Sequence, residues 1–219
     1  MPAPGPAGAR PAGPGVPLSV WAGLPAPACA PPGQPCGGPV TFEAAARVTE
    51  SFSRPGDLVI PIDGSPAATG AAAAAGRVVL RLTEGGPARL LAPGDPAAGT
   101  AALAMAGRHG PGCCPGPEPD GDGLLYAACE RALRPGGILA VITASPGGDS
   151  PPGDLAGGVV ASARAAGLTY AQHIVLLHAA IDGDRLGCAS PPAGTSGPGS
   201  GARIHSDLLI FTKPGGPRP

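Results

Sequence analysis

The sequence predicts an α/β protein: one doubly wound domain built on a mostly parallel sheet, with one antiparallel strand near the C-terminus. Three observations carry this. Ser53 to Arg77 reads as strand, tight loop and helix, with the apolar run Leu58-Val59-Ile60 after a Pro-Gly turn and an Ala-rich segment beyond the loop. Apolar runs then alternate with segments of helical period, the pattern of parallel strands joined by crossover helices. The last two strands have no helix between them, so they pair antiparallel.

Taken in order, residues 1–16 form a Pro/Gly/Ala tail without period and read as disordered. The domain spans 17–213. Pro17 to Ala22 (PLSVWA) holds the only Trp and reads as an extended segment docked on the domain. Thr41 to Phe52 reads as a helix: Thr41 suits the N-cap, Glu43 lies in the first turn, and Phe42, Ala45, Val48 and Phe52 share one stripe. Pro55-Gly56 stops it, and Leu58 to Ile60 follows as a strand buried on both faces. Val78 to Leu82 is the second strand, Arg89 to Ala92 a short third, and Ala101 to Ala106 a fourth. Arg108 to Gly123 reads as a loop, His109 as a loop histidine, and Glu118, Asp120 and Asp122 as solvated loop acids rather than a metal site, since the rest of a calcium loop is missing. Gly123 to Leu133 returns to helical period and Arg134-Pro135-Gly136-Gly137 ends it. Ile138 to Thr143 (ILAVIT) is the most apolar strand and belongs near the sheet centre. Leu155 to Ala166 reads as a helix closed by Gly167, and Thr169 to Ala180 as a long strand with His173 and His178 as edge or core histidines. Asp182-Gly183 is a turn signal, Gly187 to Gly201 a flexible insert, Asp207 to Thr212 the last strand, and 214–219 a disordered tail.

Composition narrows the function classes. Gly (38) and Pro (32) are at a level that ordinarily signals low complexity, but one lysine among 14 Lys+Arg, together with abundant Ala, points to GC-rich codon drift as the competing cause. The periodic segments favour drift. A formal net charge of −1, no Lys/Arg cluster and 3% aromatics do not suit a stand-alone nucleic-acid binder. The six cysteines form no C-x-x-C pair and have no His at zinc spacing, so they read as reduced thiols with no metal. There is no basic-then-apolar leader and no apolar run of membrane-span length, so the expectation is a cytoplasmic protein without a membrane partner.

Several stretches carry a resemblance: Pro17 to Ala22 (PLSVWA), Arg54 to Ile60 (RPGDLVI), Ala132 to Val141 (ALRPGGILAV), Ala165 to Leu168 (AAGL) and His205 to Phe211 (HSDLLIF). In this order the chain resembles S-adenosylmethionine-dependent methyltransferases with their Rossmann-like fold, and within them bacterial DNA-methylase-like proteins of the N4-cytosine/N6-adenine type. The resemblance implies S-adenosylmethionine as cofactor, methylation of a base amine in DNA or RNA, and a nucleic-acid substrate. It assigns the cofactor to Asp63 and Gly64 after the first strand, to Glu84 at the ribose hydroxyls and to Asp95 near the adenine amine. The chain departs from the pattern in two places. The loop Pro61-Ile62-Asp63-Gly64-Ser65-Pro66-Ala67 puts Pro61 where an acid is expected, and Ser65 and Ala67 where glycines are expected. After the fourth strand, Ala104 to Gly110 has no Pro-Pro-aromatic to seat a flipped base, and no catalytic residue is identified. A second reading therefore stands beside the first: a non-catalytic protein of this fold that binds or interacts. Asp63-Gly64 reads either as a cofactor loop or as a plain turn.

Overall fold

The computed structural model describes residues 15–27, 38–82, 92, 94–109, 119–144, 155–182, 185–187 and 204–215. The elements are β1 (Leu18–Trp21), α1 (Phe42–Phe52), β2 (Leu58–Pro61), α2 (Pro66–Ala74), β3 (Val78–Val79), β4 (Ala101–His109), α3 (Pro119–Ala132), β5 (Leu133–Ala144), α4 (Leu155–Ala165), β6 (Thr169–Leu177), β7 (Ala180–Asp182), β8 (Arg185–Gly187) and β9 (His205–Thr212). Seven strands form one sheet in the order β3-β2-β4-β5-β9-β6-β1. All neighbours are parallel except β9, which runs antiparallel to both β5 and β6. This is the expected Rossmann-like, doubly wound sheet with its antiparallel strand near the C-terminus. β7 and β8 make a separate antiparallel pair.

The two faces of the sheet bury two cores. Ala45, Val48, Ala68 and Ala72 of α1 and α2 close over Val59, Leu103, Met105, Ala140, Ile142, Leu208 and Ile210. Tyr126, Cys129, Val159 and Ala163 of α3 and α4 close over Ile60, Ala104, Leu139, Val141, Leu209 and Phe211 on the other side. Alternate residues of β4, β5 and β9 thus enter opposite cores, so these strands must be apolar throughout. β5 lies fourth of the seven strands, at the centre, as its composition demands. α1 begins as expected: Thr41 is its N-cap, and the Ala44 N–H donates to Thr41 Oγ1 at 3.2 Å.

Four expectations need correction. Arg108 to Gly123 is not all loop: β4 continues through Arg108 and His109, and the α3 backbone begins at Pro119, so Asp120 and Asp122 lie in a helix. β4 extends because its whole length finds a partner in β5, out to His109↔Ala144. Arg134 to Gly137 is not a terminating turn but part of β5, where the register against β4 shifts. Gly136 takes φ +75° there, and a Cβ on Gly137 would sit 2.9 Å from Ala101 O, so the strand passes only because these residues are glycines. β3 ends at Val79, although the Leu80 N–H still donates to Val59 O at 3.1 Å. β6 stops at Leu177, and Ala180 opens the β7–β8 pair instead. Residues 1–14, most of the third-strand segment Arg89 to Ala92, the Gly183 turn, 188–201 of the expected insert and 216–219 lie outside the described residues.

Candidate functional site

Chain order and sheet order reverse at β2. From β2 the chain passes through α2 to β3 on one side, then returns to β4 on the other side of β2. In open α/β sheets such a switch leaves a crevice outside the carboxyl ends of the two strands, where neither crossover covers the sheet. The β2–α2 loop, residues 62–65, stands at this place.

The loop is held by its own side chains. Asp63 Oδ1 accepts the Ser65 N–H at 3.0 Å, and Asp63 Oδ2 accepts the Gly107 N–H of β4 at 2.7 Å. One carboxylate thus shapes the turn and ties β2 to β4 across the crevice. Gly64 follows at φ +69°, a conformation that side chains disfavour. Ser65 caps α2, its Oγ accepting the Ala68 N–H at 3.3 Å, and Pro66 occupies the first helical turn, where its missing N–H costs least.

A cleft of about 330 Å³ opens beside this loop. Among the described residues it is lined by Pro61 and Gly64, by Pro66, Thr69, Gly70 and Ala73 of α2, and by Arg81 and Leu82 just past β3. The volume lies at the lower end of the ~300–1,000 Å³ usual for small-molecule sites. A Cβ on Gly70 would meet the Phe42 ring of α1 at 3.6 Å, an ordinary contact.

The β4 side of the crevice is different. Pro39 is buried against Gly107: a Cβ on Gly107 would fall 2.7 Å from Pro39 Cγ and 2.8 Å from Pro39 Cδ. The segment leading into α1 therefore caps the carboxyl end of β4, the corner where the resemblance places the acceptor amine. Behind it, Arg108 lies over the Tyr126 ring at 5.8 Å.

Of the four residues assigned to the cofactor, Gly64 lines the cleft and Asp63 braces the loop from behind. Asp95 belongs to the turn that enters the amino end of β4; its Oδ1 accepts the Ala97 N–H at 2.8 Å, and the nearby Gly99 and Thr100 N–H groups donate to Arg131 O and Ala132 O. The structure does not bring Asp95 to the Asp63–Gly64 loop. Glu84 lies outside the described residues. Arg81, Thr69, Gly70 and Pro39 have no motif to announce them; their roles depend on which faces meet. Among the described residues no group of three or more His, Cys, Asp or Glu is placed to hold a metal ion. No helix among them is long and apolar enough to cross a membrane.

No family model matches the chain, and no curated protein does. Solved structures are similar to it in part. A TehB-like S-adenosylmethionine-dependent methyltransferase from Corynebacterium glutamicum is 14% identical with a TM-score of 0.47, covering 80% of this chain and 88% of that one. The 1,6-didemethyltoxoflavin-N1-methyltransferase of Burkholderia thailandensis, solved with S-adenosylhomocysteine, is 17% identical with a TM-score of 0.46, covering 79% and 78%. A protein described as a DNA modification methylase, from Thermus thermophilus, is 14% identical with a TM-score of 0.36; this chain spans 55% of its length.

Proposed function

We propose that the chain binds S-adenosylmethionine at the cleft beside the β2–α2 loop, as a methyltransferase-type protein with an altered cofactor loop. One observation carries the reading: the cleft lined by Gly64 opens beside the β2–α2 loop, on the β3 side of the switch point, in a sheet whose antiparallel β9 lies between β5 and β6. The sequence segments that resemble the methyltransferases support it, and they fall on β1, β2, β5 and β9 and on the link from α4 to β6. Gly64 would let the backbone approach the ligand, with Asp63 holding the loop in place. When bound, the cofactor would supply an electrophilic methyl group; the protein's part would be to position an acceptor in line with it.

Binding on this reading is weak. Ser65 and Ala67 add Cβ atoms where close approach is wanted, and Pro66 removes an N–H. Each lost hydrogen bond costs on the order of 1 kcal/mol, and ~1.4 kcal/mol is tenfold in affinity. A dissociation constant between ~0.1 and 1 mM is expected by that arithmetic. The resemblance names a base amine of DNA or RNA as acceptor, which a methylation assay with labelled cofactor on both nucleic acids tests.

Pro39 favours a second reading, binding without transfer. It occupies the β4 corner against Gly107, where an acceptor would need room. Calorimetry with S-adenosylmethionine and S-adenosylhomocysteine tests the shared step. Heat of binding that Gly64→Val abolishes supports both readings, and transfer by the chain with Pro39 intact removes the second.

A further inference from the structure

We infer that the cleft also accepts a phosphorylated nucleoside, with Arg81 as the residue that takes the phosphate. The inference uses the same cleft but does not depend on the methyl-donor reading. Among the described residues that line the cleft, Arg81 alone is charged. Asp63 of the adjoining loop is not among the described lining residues and is committed elsewhere: both its oxygens accept backbone N–H groups, from Ser65 and Gly107. Arg81 has no ion-pair partner among the described residues, whereas Arg134 pairs with Asp57 at 3.1 Å and Arg77 is held by the backbone of α1.

The position suits a phosphate. Arg81 lies two residues past the end of β3, the second strand of the β2–α2–β3 unit. In nucleotide-binding units of this build, the strand end faces the ribose: an acid there receives the 2′-hydroxyl, and an arginine nearby receives a 2′-phosphate. Guanidinium matches phosphate with two parallel hydrogen bonds. The start of α2 is a poorer anion site, because Pro66 has no N–H, Ala68 donates to Ser65 Oγ and Thr69 donates to Ser65 O. The phosphate therefore belongs on the Arg81 wall. The rest of the lining fits the nucleoside: Pro61, Pro66, Ala73 and Leu82 give apolar surface, Gly64 and Gly70 leave room for a flat ring, and Thr69 offers a hydroxyl. S-adenosylmethionine carries a net positive charge, which Arg81 repels, whereas a nucleoside monophosphate carries the opposite sign.

Titration calorimetry of the full chain in low salt, with adenosine monophosphate (the 2′ isomer), adenosine, inorganic phosphate and S-adenosylmethionine, tests this. Adenosine monophosphate should bind about tenfold more tightly than adenosine or inorganic phosphate; the factor is set at the lower end because Arg81 is exposed and its charge is screened. Arg81→Gln should bring adenosine monophosphate to the level of adenosine and leave adenosine unchanged, with the circular dichroism spectrum of the parent. Equal binding of adenosine and its monophosphate, or no effect of Arg81→Gln, overturns the inference. Inorganic phosphate binding as tightly as the monophosphate also overturns it, by removing the nucleoside. Binding of S-adenosylmethionine without the monophosphate refutes this inference and leaves the methyl-donor reading; the converse result does the opposite.

Discussion

A β-carbon on Gly107 would lie 2.7 Å from Pro39 Cγ and 3.0 Å from Asp63 Oδ2. Neither neighbour yields easily, since one is a buried ring and the other is fixed by two hydrogen bonds. Gly107→Ala should cost about 1–3 kcal/mol in denaturant unfolding, and the cost should shrink in a Pro39→Ala background, where the ring is gone. Equal losses in both backgrounds would mean that Pro39 does not pack on β4. Cys129 makes a second prediction. Burial pushes its thiol up from the ordinary 9.0 to about 12, opposed by the nearby Arg108 charge. The folded chain keeps a proton that the unfolded chain releases, so this contribution is complete below pH ~9 and is lost as pH rises toward 12. The loss is at most about 4 kcal/mol. Tyr170, raised chiefly by burial and further by Asp207, acts in the same direction. The unfolding midpoint of the wild type should fall more steeply above pH 9 than that of Cys129→Ala; parallel curves would contradict it. Neither Gly107 nor Pro39 has a signature in the sequence, because each matters only through the other, 68 positions away in the chain.

Elements were legible where burial leaves one solution. Ile138 to Thr143 had to be apolar on both faces because β5 is flanked by β4 and β9 and covered by helices on each side. Thr41 announced α1 because a capping hydroxyl acts locally. β4 was underestimated for the converse reason: Gly107, Arg108 and His109 have poor strand composition and are extended by pairing to Ile142, Thr143 and Ala144. Arg134 to Gly137 misled because glycine signals a turn and a bulge alike, and only the Gly136–Lys213 backbone pairing separates them. The link between α1 and α2 gives the prediction at this scale. Arg77 Nη2 donates to Ser53 O at 2.8 Å and Thr49 O at 3.3 Å, and its Nε donates to Ser53 Oγ at 3.0 Å. It supplies a donor to Ser53 O just past α1, adds a further donor to Thr49 O, which already accepts the Ser53 N–H, and puts a positive charge at that helix end. Arg77→Ala should destabilise by about 1–3 kcal/mol, and Arg77→Lys should recover little, since one ammonium cannot reproduce the fork. Full rescue by lysine would reduce the role to charge alone.

At the scale of the whole molecule, the sheet order decides where a ligand can go. Reversal at β2 opens the crevice, Asp63 ties its two strands, Pro39 closes the β4 side, and the cleft at Gly64 stays open on the β3 side. The fold class was legible because alternation and strand burial repeat along the chain and reinforce one another. Of the candidate cleft, only Gly64 was legible in the sequence, in the Asp63-Gly64 loop that directly follows the first apolar strand of the unit. Arg81 was hidden because a single arginine past a two-residue strand has no pattern until the α2 face is set opposite it. If the cleft at Gly64 is the ligand site, blocking it must abolish binding while the fold survives. The decisive experiment is calorimetric titration of S-adenosylmethionine into the wild-type chain and into Gly64→Val, both checked for folding. Saturable binding to the wild type in the range ~0.1–1 mM and none to the variant is the expected result; no binding to the wild type at millimolar cofactor, or unchanged binding to a folded Gly64→Val, would contradict it.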